Sequence, residues 1–240
     1  MDNILNGSMR CAEIYTTEQA IYYITDDDNA VYTDTCIVAE NEQRVYILVA
    51  RDGCVAKNID LTFIVEKSAS LRVELLVAHA DATIFLRCIM RGESSHAVIN
   101  GVYILGKNHK MTISTVQHHE AAHTKSNLII KGVADGNAQV TYSGMVRVEK
   151  EARCSISCQD HKAMLLSENA RVVSIPSLEV LTNDVHCFHG SAIGAFEQEK
   201  LFYAASRGIG QEIIKRLLLQ AFFAHLFKNK TMNSLLEGLL

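Results

Sequence analysis

Between about Val45 and Val180, apolar side chains recur at every second position in one short run after another. A period of two belongs to strands with one buried face, whereas a helix repeats near 3.6. Ile59-Asp60-Leu61-Thr62-Phe63, Leu71-Arg72-Val73-Glu74-Leu75, Val140-Thr141-Tyr142 and Cys154-Ser155-Ile156-Ser157-Cys158 follow this rule, and their apolar or thiol positions are expected to face inward. The runs also open alike. Ala69, Ala82, Ala138, Ala152 and Ala170 each follow a polar turn and start an alternating run, a self-similarity that points to a solenoid. Asp135-Gly136-Asn137 is the single good signal for a tight hairpin turn, so a meander of hairpins fits poorly. The expected fold is mainly β, a right-handed parallel β-helix with C-terminal α-helices. A narrow coil interior suits small and branched side chains, in keeping with no Trp and eight Phe among 240 residues. A β-sandwich shares the period and is the competing architecture.

Composition narrows the classes further. With 48% hydrophobic and 21% charged residues and a single proline, the chain has the make-up of a folded globular protein. Lys and Arg number 23 against 27 Asp and Glu, a net charge of −4 that is too mild to suggest nucleic acid or an anionic membrane as partner. No run of about 18 apolar residues occurs, and residues 1 to 11 lack the basic start and apolar stretch of a signal peptide. Cys11, Cys36, Cys54, Cys88, Cys154, Cys158 and Cys187 are odd in number and irregularly spaced, as expected for reduced thiols in a cytoplasmic protein.

After Ser206-Arg207-Gly208 the period changes. Ile213, Ile214, Leu217, Leu218, Ala221, Phe222 and Leu226 recur at three and four, which predicts a helix of about five turns, with Thr231 capping a second, short helix. The expected division is a core over 1–205, with 1–40 as its lead-in, and a helical segment over 206–240. Asp26-Asp27-Asp28-Asn29 reads as a solvated turn.

Three motifs bear on chemistry. His119-Glu120-Ala121-Ala122-His123 matches the zinc-hydrolase pattern H-E-x-x-H, which works only on a helix. Strand-like runs flank it on both sides, and in an extended segment the two imidazoles would stand about 13 Å apart. Cys154 and Cys158 would likewise form a metal pair only on a helix. Cys187-Phe188-His189 is different: at i and i+2 of a strand, thiolate and imidazole point the same way about 6.6 Å apart and can serve one soft metal or one iron–sulfur cluster. No G-x-x-x-x-G-K-[ST] and no G-x-S-x-G occurs, so nucleotide chemistry would belong to a partner.

The C-terminal blocks carry a resemblance. Pro176-Ser177-Leu178-Glu179-Val180, Asn183-Asp184-Val185, Cys187, His189-Gly190-Ser191-Ala192-Ile193-Gly194, Leu201-Phe202-Tyr203 and Ser206-Arg207-Gly208-Ile209 follow in order. They resemble the P-x-L-E-I, D-D-V-x-C-x-H-G-A-x-x-G, L-F-Y and S-R-G-I blocks of the SufB/SufD family of iron–sulfur cluster assembly proteins. Upstream, Ser126-Asn127, Lys131-Gly132-Val133 and Tyr142-Ser143-Gly144 are similar to the family's S-N, K-G-V and F-x-G positions, so the likeness runs from about residue 40 to 227.

The resemblance implies a parallel β-helix that pairs with a second subunit through its last strands. It places a transient iron–sulfur cluster at Cys187 and His189, with Asp184, His186 and Gly190 at that interface. It further implies an ABC-type ATPase, SufC-like, docked on the C-terminal helix at Arg207, Ile213, Leu217 and Phe222. The chain would be a non-catalytic scaffold in a homodimer or a heterodimer with a SufB-like chain. Some complexes of the family also carry a flavin, for which no residue is assigned. SufB-like members have an essential cysteine where His161 stands here, so the chain reads as SufD-like and His161 is a third candidate ligand. The family's long N-terminal helical region is not read in this sequence, where strands begin near residue 31. Two other readings compete: a β-helix carbohydrate hydrolase or lyase, for which no Asp/Glu pair on adjacent coils is seen, and a purely architectural subunit with a degenerate cluster site.

Overall fold

The computed structural model describes residues 19–24, 31–50, 57–195 and 198–240. Cys11, Cys54 and the Asp26-Asp27-Asp28-Asn29 turn lie outside them. The strands are β1 (Gln19–Ile24), β2 (Val31–Val38), β3 (Gln43–Ala50), β4 (Lys57–Val65), β5 (Ser70–Ala78), β6 (Ala82–Met90) and β7 (His96–Leu105). They continue as β8 (Lys110–His119), β9 (Lys125–Ala134), β10 (Gln139–Val148), β11 (Ser155–Leu165), β12 (Arg171–Val180) and β13 (Val185–Ala195). Odd strands build one sheet, β1-β3-β5-β7-β9-β11-β13, and even strands the other, β12-β10-β8-β6-β4-β2. All pairings are parallel, so successive strands alternate between sheets and the chain winds as a β-solenoid of two strands per coil.

The recurring alanines mark the coil corners. Ala69, Ala138 and Ala152 donate their N–H to the carbonyls of Glu66, Asp135 and Glu149 at 3.1 Å each, closing β-turns. All five alanines are buried just where the chain re-enters the coil, a place too narrow for a longer side chain. One corner stacks into a column of left-handed residues, Asn41, Ser68, Ser94, His123 and Cys154, with φ between 57° and 62° in four and 56° in Ser68. Such a backbone costs a non-glycine residue about 1–2 kcal/mol. Each of these residues offsets that cost by donating its N–H to a carbonyl of the next coil: Lys67, Glu93, Ala122, Arg153 and Asp184 respectively.

Inward residues of the first coils form the apolar core, including Phe63, Leu75, Ile84, Leu86, Ile99 and Tyr103. The Cys154–Cys158 run corrects the expected polarity. Ser155 and Ser157 face inward and are buried, while Cys154 is exposed, Ile156 is 40% exposed and Cys158 is half-buried. Ser157 stacks on inward Ser126, and their hydroxyls bond at 2.9 Å, so coil register overrules the apolar pattern.

Three helices follow: α1 (Gln198–Ser206), α2 (Gln211–Phe223) and α3 (Lys230–Glu237). α1 begins within the stretch expected to be solenoid. α2 is shorter than the expected five turns, because the chain breaks at Ala224 and takes a left-handed residue at His225. α3 is capped by Asn229 and not Thr231, since the Asn229 side chain accepts the N–H groups of Thr231 and Met232. Phe223, Leu226, Phe227, Met232 and Leu236 cover the outer face of the odd-strand sheet at Ile47, Leu76, Val102 and Val133. Polar clips fix this cover: Glu74 accepts the Lys228 N–H, Asn100 donates to the Leu226 carbonyl and Lys131 to that of Phe222.

Inside the coil, Gly132 lies against the face of the Tyr103 ring, which occupies the space a Cβ would fill. Tyr103 is fully buried and its hydroxyl is joined to His161, so the ring has nowhere to swing. Gly132→Ala is expected to destabilise the fold by about 1–3 kcal/mol. Chemical denaturation checks this, and an unchanged midpoint would contradict the packing described.

Candidate functional site

β13 pairs with β11 on one side, and among the described residues no strand pairs with its other edge or with the outer edge of β12. Its register puts Cys187 on Ser157, His189 on Gln159 and Ser191 on His161. Ser157, Gln159 and His161 are buried inward residues, so Cys187 and His189 share the inward direction. They stand in the last coil, where no strand stacks above them among the described residues. Cys187 is half-buried against Val146, Val148, Ala152 and Val185, and His189 is exposed. On β12 the same lack of a covering coil leaves inward Leu178 41% exposed, and on the outer face Val173, Ile175 and Phe188 are also exposed.

Burial pushes the Cys187 thiol up, and a backbone hydrogen bond from Ser157 opposes this in part. The thiol is therefore protonated near neutral pH, and a metal ion is the kind of charge that would strip its proton. Thiolate and imidazole together suit iron. Among the described residues no group of three or more His, Cys, Asp or Glu side chains is placed to hold a metal ion. Two donors on one edge thus require others from outside this surface.

The remaining expected residues are dispersed. His161 lies inside the coil in register with Ser191, its ring stacked on Tyr142 at 4.3 Å between centroids. Both its ring nitrogens are engaged, Nε2 with the Tyr103 hydroxyl at 3.1 Å and Nδ1 with Ser174 at 2.9 Å. Asp184 sits at the corner, where its carboxylate accepts the Cys154 thiol at 3.1 Å. His186 is exposed and faces away from Cys187, and Gly190 packs over the Asp160 carboxylate. In the H-E-x-x-H stretch, His119 ends β8 facing inward, whereas His123 is an exposed left-handed corner residue, so they share no site.

On the helices, Ile213 and Leu217 are 59% and 54% exposed, Phe202 and Tyr203 are exposed as well, and Arg207 lies over the Tyr203 ring. Phe222 departs from this group. It packs toward the solenoid, its ring beside Phe223 and the Lys131 ammonium, because the helix splits its apolar residues between two sides.

Sequence reading missed a polar column within the last coils. His119 joins Thr124 at 2.6 Å and Ser126 at 2.8 Å, Thr124 joins Ser155, Ser126 joins Ser157, and Thr115 joins Tyr142. Its signal was available: Thr115-x-Gln117-x-His119 and Ser155-x-Ser157-x-Gln159-x-His161 alternate as cleanly as the apolar runs.

Burial pulls both His119 and His161 from 6.5 down to about 4; the His118 charge adds to the effect at His119, and Asp160 opposes it at His161. The native state thus refuses protons that the unfolded chain takes up. Stability is complete above about pH 6.5 and falls as pH drops toward 4, by about 1.4 kcal/mol per unit for each ring. Urea unfolding from pH 7 to 4.5 reads this, and His161→Gln is expected to remove about half of the decline; an unaltered slope would refute the assignment.

Residues 35–222 match the family model described as SUF system FeS cluster assembly, SufBD core domain. An iron-sulfur cluster assembly SufBD family protein of Mycobacterium leprae is 29% identical over 157 residues, 62% of this chain and 40% of that protein. The SufD of Escherichia coli is 28% identical over 137 residues, 57% and 32% of the two chains, and the SufB of Bacillus subtilis 26% over 153 residues, 62% and 32%. The matched part thus makes up about a third to two fifths of the length of these relatives. With a family model spanning well over half of its residues, the chain belongs to the SufBD family of iron–sulfur cluster assembly proteins.

Proposed function

We propose that this chain is a scaffold subunit of a cytoplasmic SUF-type complex, in which an iron–sulfur cluster is built as cargo at the seam between two SufBD subunits. The observation that carries the reading is the pair Cys187 and His189, facing one way on a terminal strand whose outer edge has no partner among the described residues. A solenoid end with exposed Leu178, Val173 and Ile175 and unpaired strand edges calls for a covering chain. A second SufBD subunit, identical or SufB-like, would bring both the cover and the missing ligands. Cys187 acts as thiolate ligand or sulfur acceptor, and His189 as imidazole ligand. Asp184, His186 and Gly190 flank the seam, and His161 supports the coil beneath it and is not a ligand.

In this reading ATP hydrolysis belongs to an ABC-type, SufC-like partner. Ile213, Leu217 and Arg207 form its docking surface on the segment after residue 205, while Phe222 anchors that segment to the solenoid.

Cys187→Ala with His189→Ala is expected to leave the fold intact, since one half-buried thiol and one exposed ring are lost, and to abolish cluster accumulation. Anaerobic reconstitution with the ATPase partner, followed by visible absorbance, tests this; full absorbance in the double variant would overturn the site. Ile213→Glu with Leu217→Glu is expected to reduce copurification of the ATPase at least tenfold at unchanged thermal stability. Retained copurification would move the docking surface elsewhere.

A further inference from the structure

Gln159 is the buried polar side chain that the site so far leaves unexplained. It is 1% exposed, yet neither Oε1 nor Nε2 of its carboxamide has a hydrogen-bond partner. Leaving such a group unpaired costs about 1–3 kcal/mol. Gln117, another buried amide, has Nε2 bonded to Ser126 and to the Cys158 carbonyl and only its Oε1 without a partner, whereas Gln159 lacks partners at both ends. The chain makes room for the Gln159 amide deliberately, because a Cβ at Gly144, across the coil on β10, would run into it. Above it in the ladder stands His189, its register partner on β13 and about 4.8 Å away along the coil axis. No hydrogen bond joins the two side chains.

Resting on the assembly reading above, we propose that Gln159 is a positioning residue for His189. When one ring nitrogen of His189 binds iron, the other carries a proton and needs an acceptor. Gln159 Oε1 supplies it from the inward side, fixing the tautomer and the orientation of the ring. Ser157 and His161, the inward neighbours of Gln159, are already bonded within the coil, so the amide is the group left to take this role. Gln159 does not touch the cluster and is not itself a ligand.

The test compares the wild-type complex, purified with its cellular partners and loaded anaerobically with ferrous iron and sulfide, with Gln159→Met and Gln159→Glu. Thermal unfolding first establishes that each is folded. Gln159→Met keeps the volume and removes the acceptor; it is expected to lose iron to a bipyridyl chelator about 10–100-fold faster than wild type. Gln159→Glu retains an acceptor oxygen and is expected to restore slow release, which a simple packing role would not produce. Should Gln159→Met fail to fold, Gln159→Thr, too short to reach His189, takes its place with the same expectation. Equal release rates in wild type and the acceptor-free variant would overturn the role of Gln159 and leave the assembly reading standing. If the wild-type complex never develops cluster absorbance, the assembly reading fails first and the inference falls with it.

Discussion

The parallel ladder between stacked coils fixes the direction of every side chain that matters here. Because a strand has a period of two, a slip of one residue between β11 and β13 would turn Cys187 and His189 to the outer face and bring Phe188 inward. The register is held at the corner by the left-handed column, each member of which is tied to the coil above, ending with the Cys154 N–H on the Asp184 carbonyl. One backbone contact next to the start of β13 therefore sets the aim of residues three and five positions further on.

The solenoid changes character along its axis. Its early coils enclose aliphatic and aromatic side chains, and its last coils enclose hydroxyls, amides and imidazoles bonded to one another. Polar groups in so dry a place are tolerable only when paired, and most of them are. Burial keeps His119 and His161 neutral, so the interior beneath the open end carries no positive charge from these rings at physiological pH.

The odd-strand sheet is sealed by the C-terminal segment, which Glu74, Asn100 and Lys131 clip down from successive coils. That cover turns one side of α2 to the sheet and leaves Ile213 and Leu217 exposed to solvent.

The amino-acid sequence by itself determined the strand period, the alanine corners, the helical character of the segment after Gly208 and the shared direction of Cys187 and His189. These follow from local geometry: alternation on a strand and spacing on a helix need no knowledge of neighbours. Only the tertiary structure decided which parity faced inward at Cys154–Cys158, because hydroxyl, thiol and short apolar side chains are nearly matched there and stacking on Ser126 breaks the tie. Only the tertiary structure took Phe222 from the docking face, since a helix with apolar residues on two sides does not specify which side meets the sheet. It alone brought Gln159 beneath His189, across thirty residues of chain, for the register between coils is set by the length of the intervening turns and strand rather than by either residue.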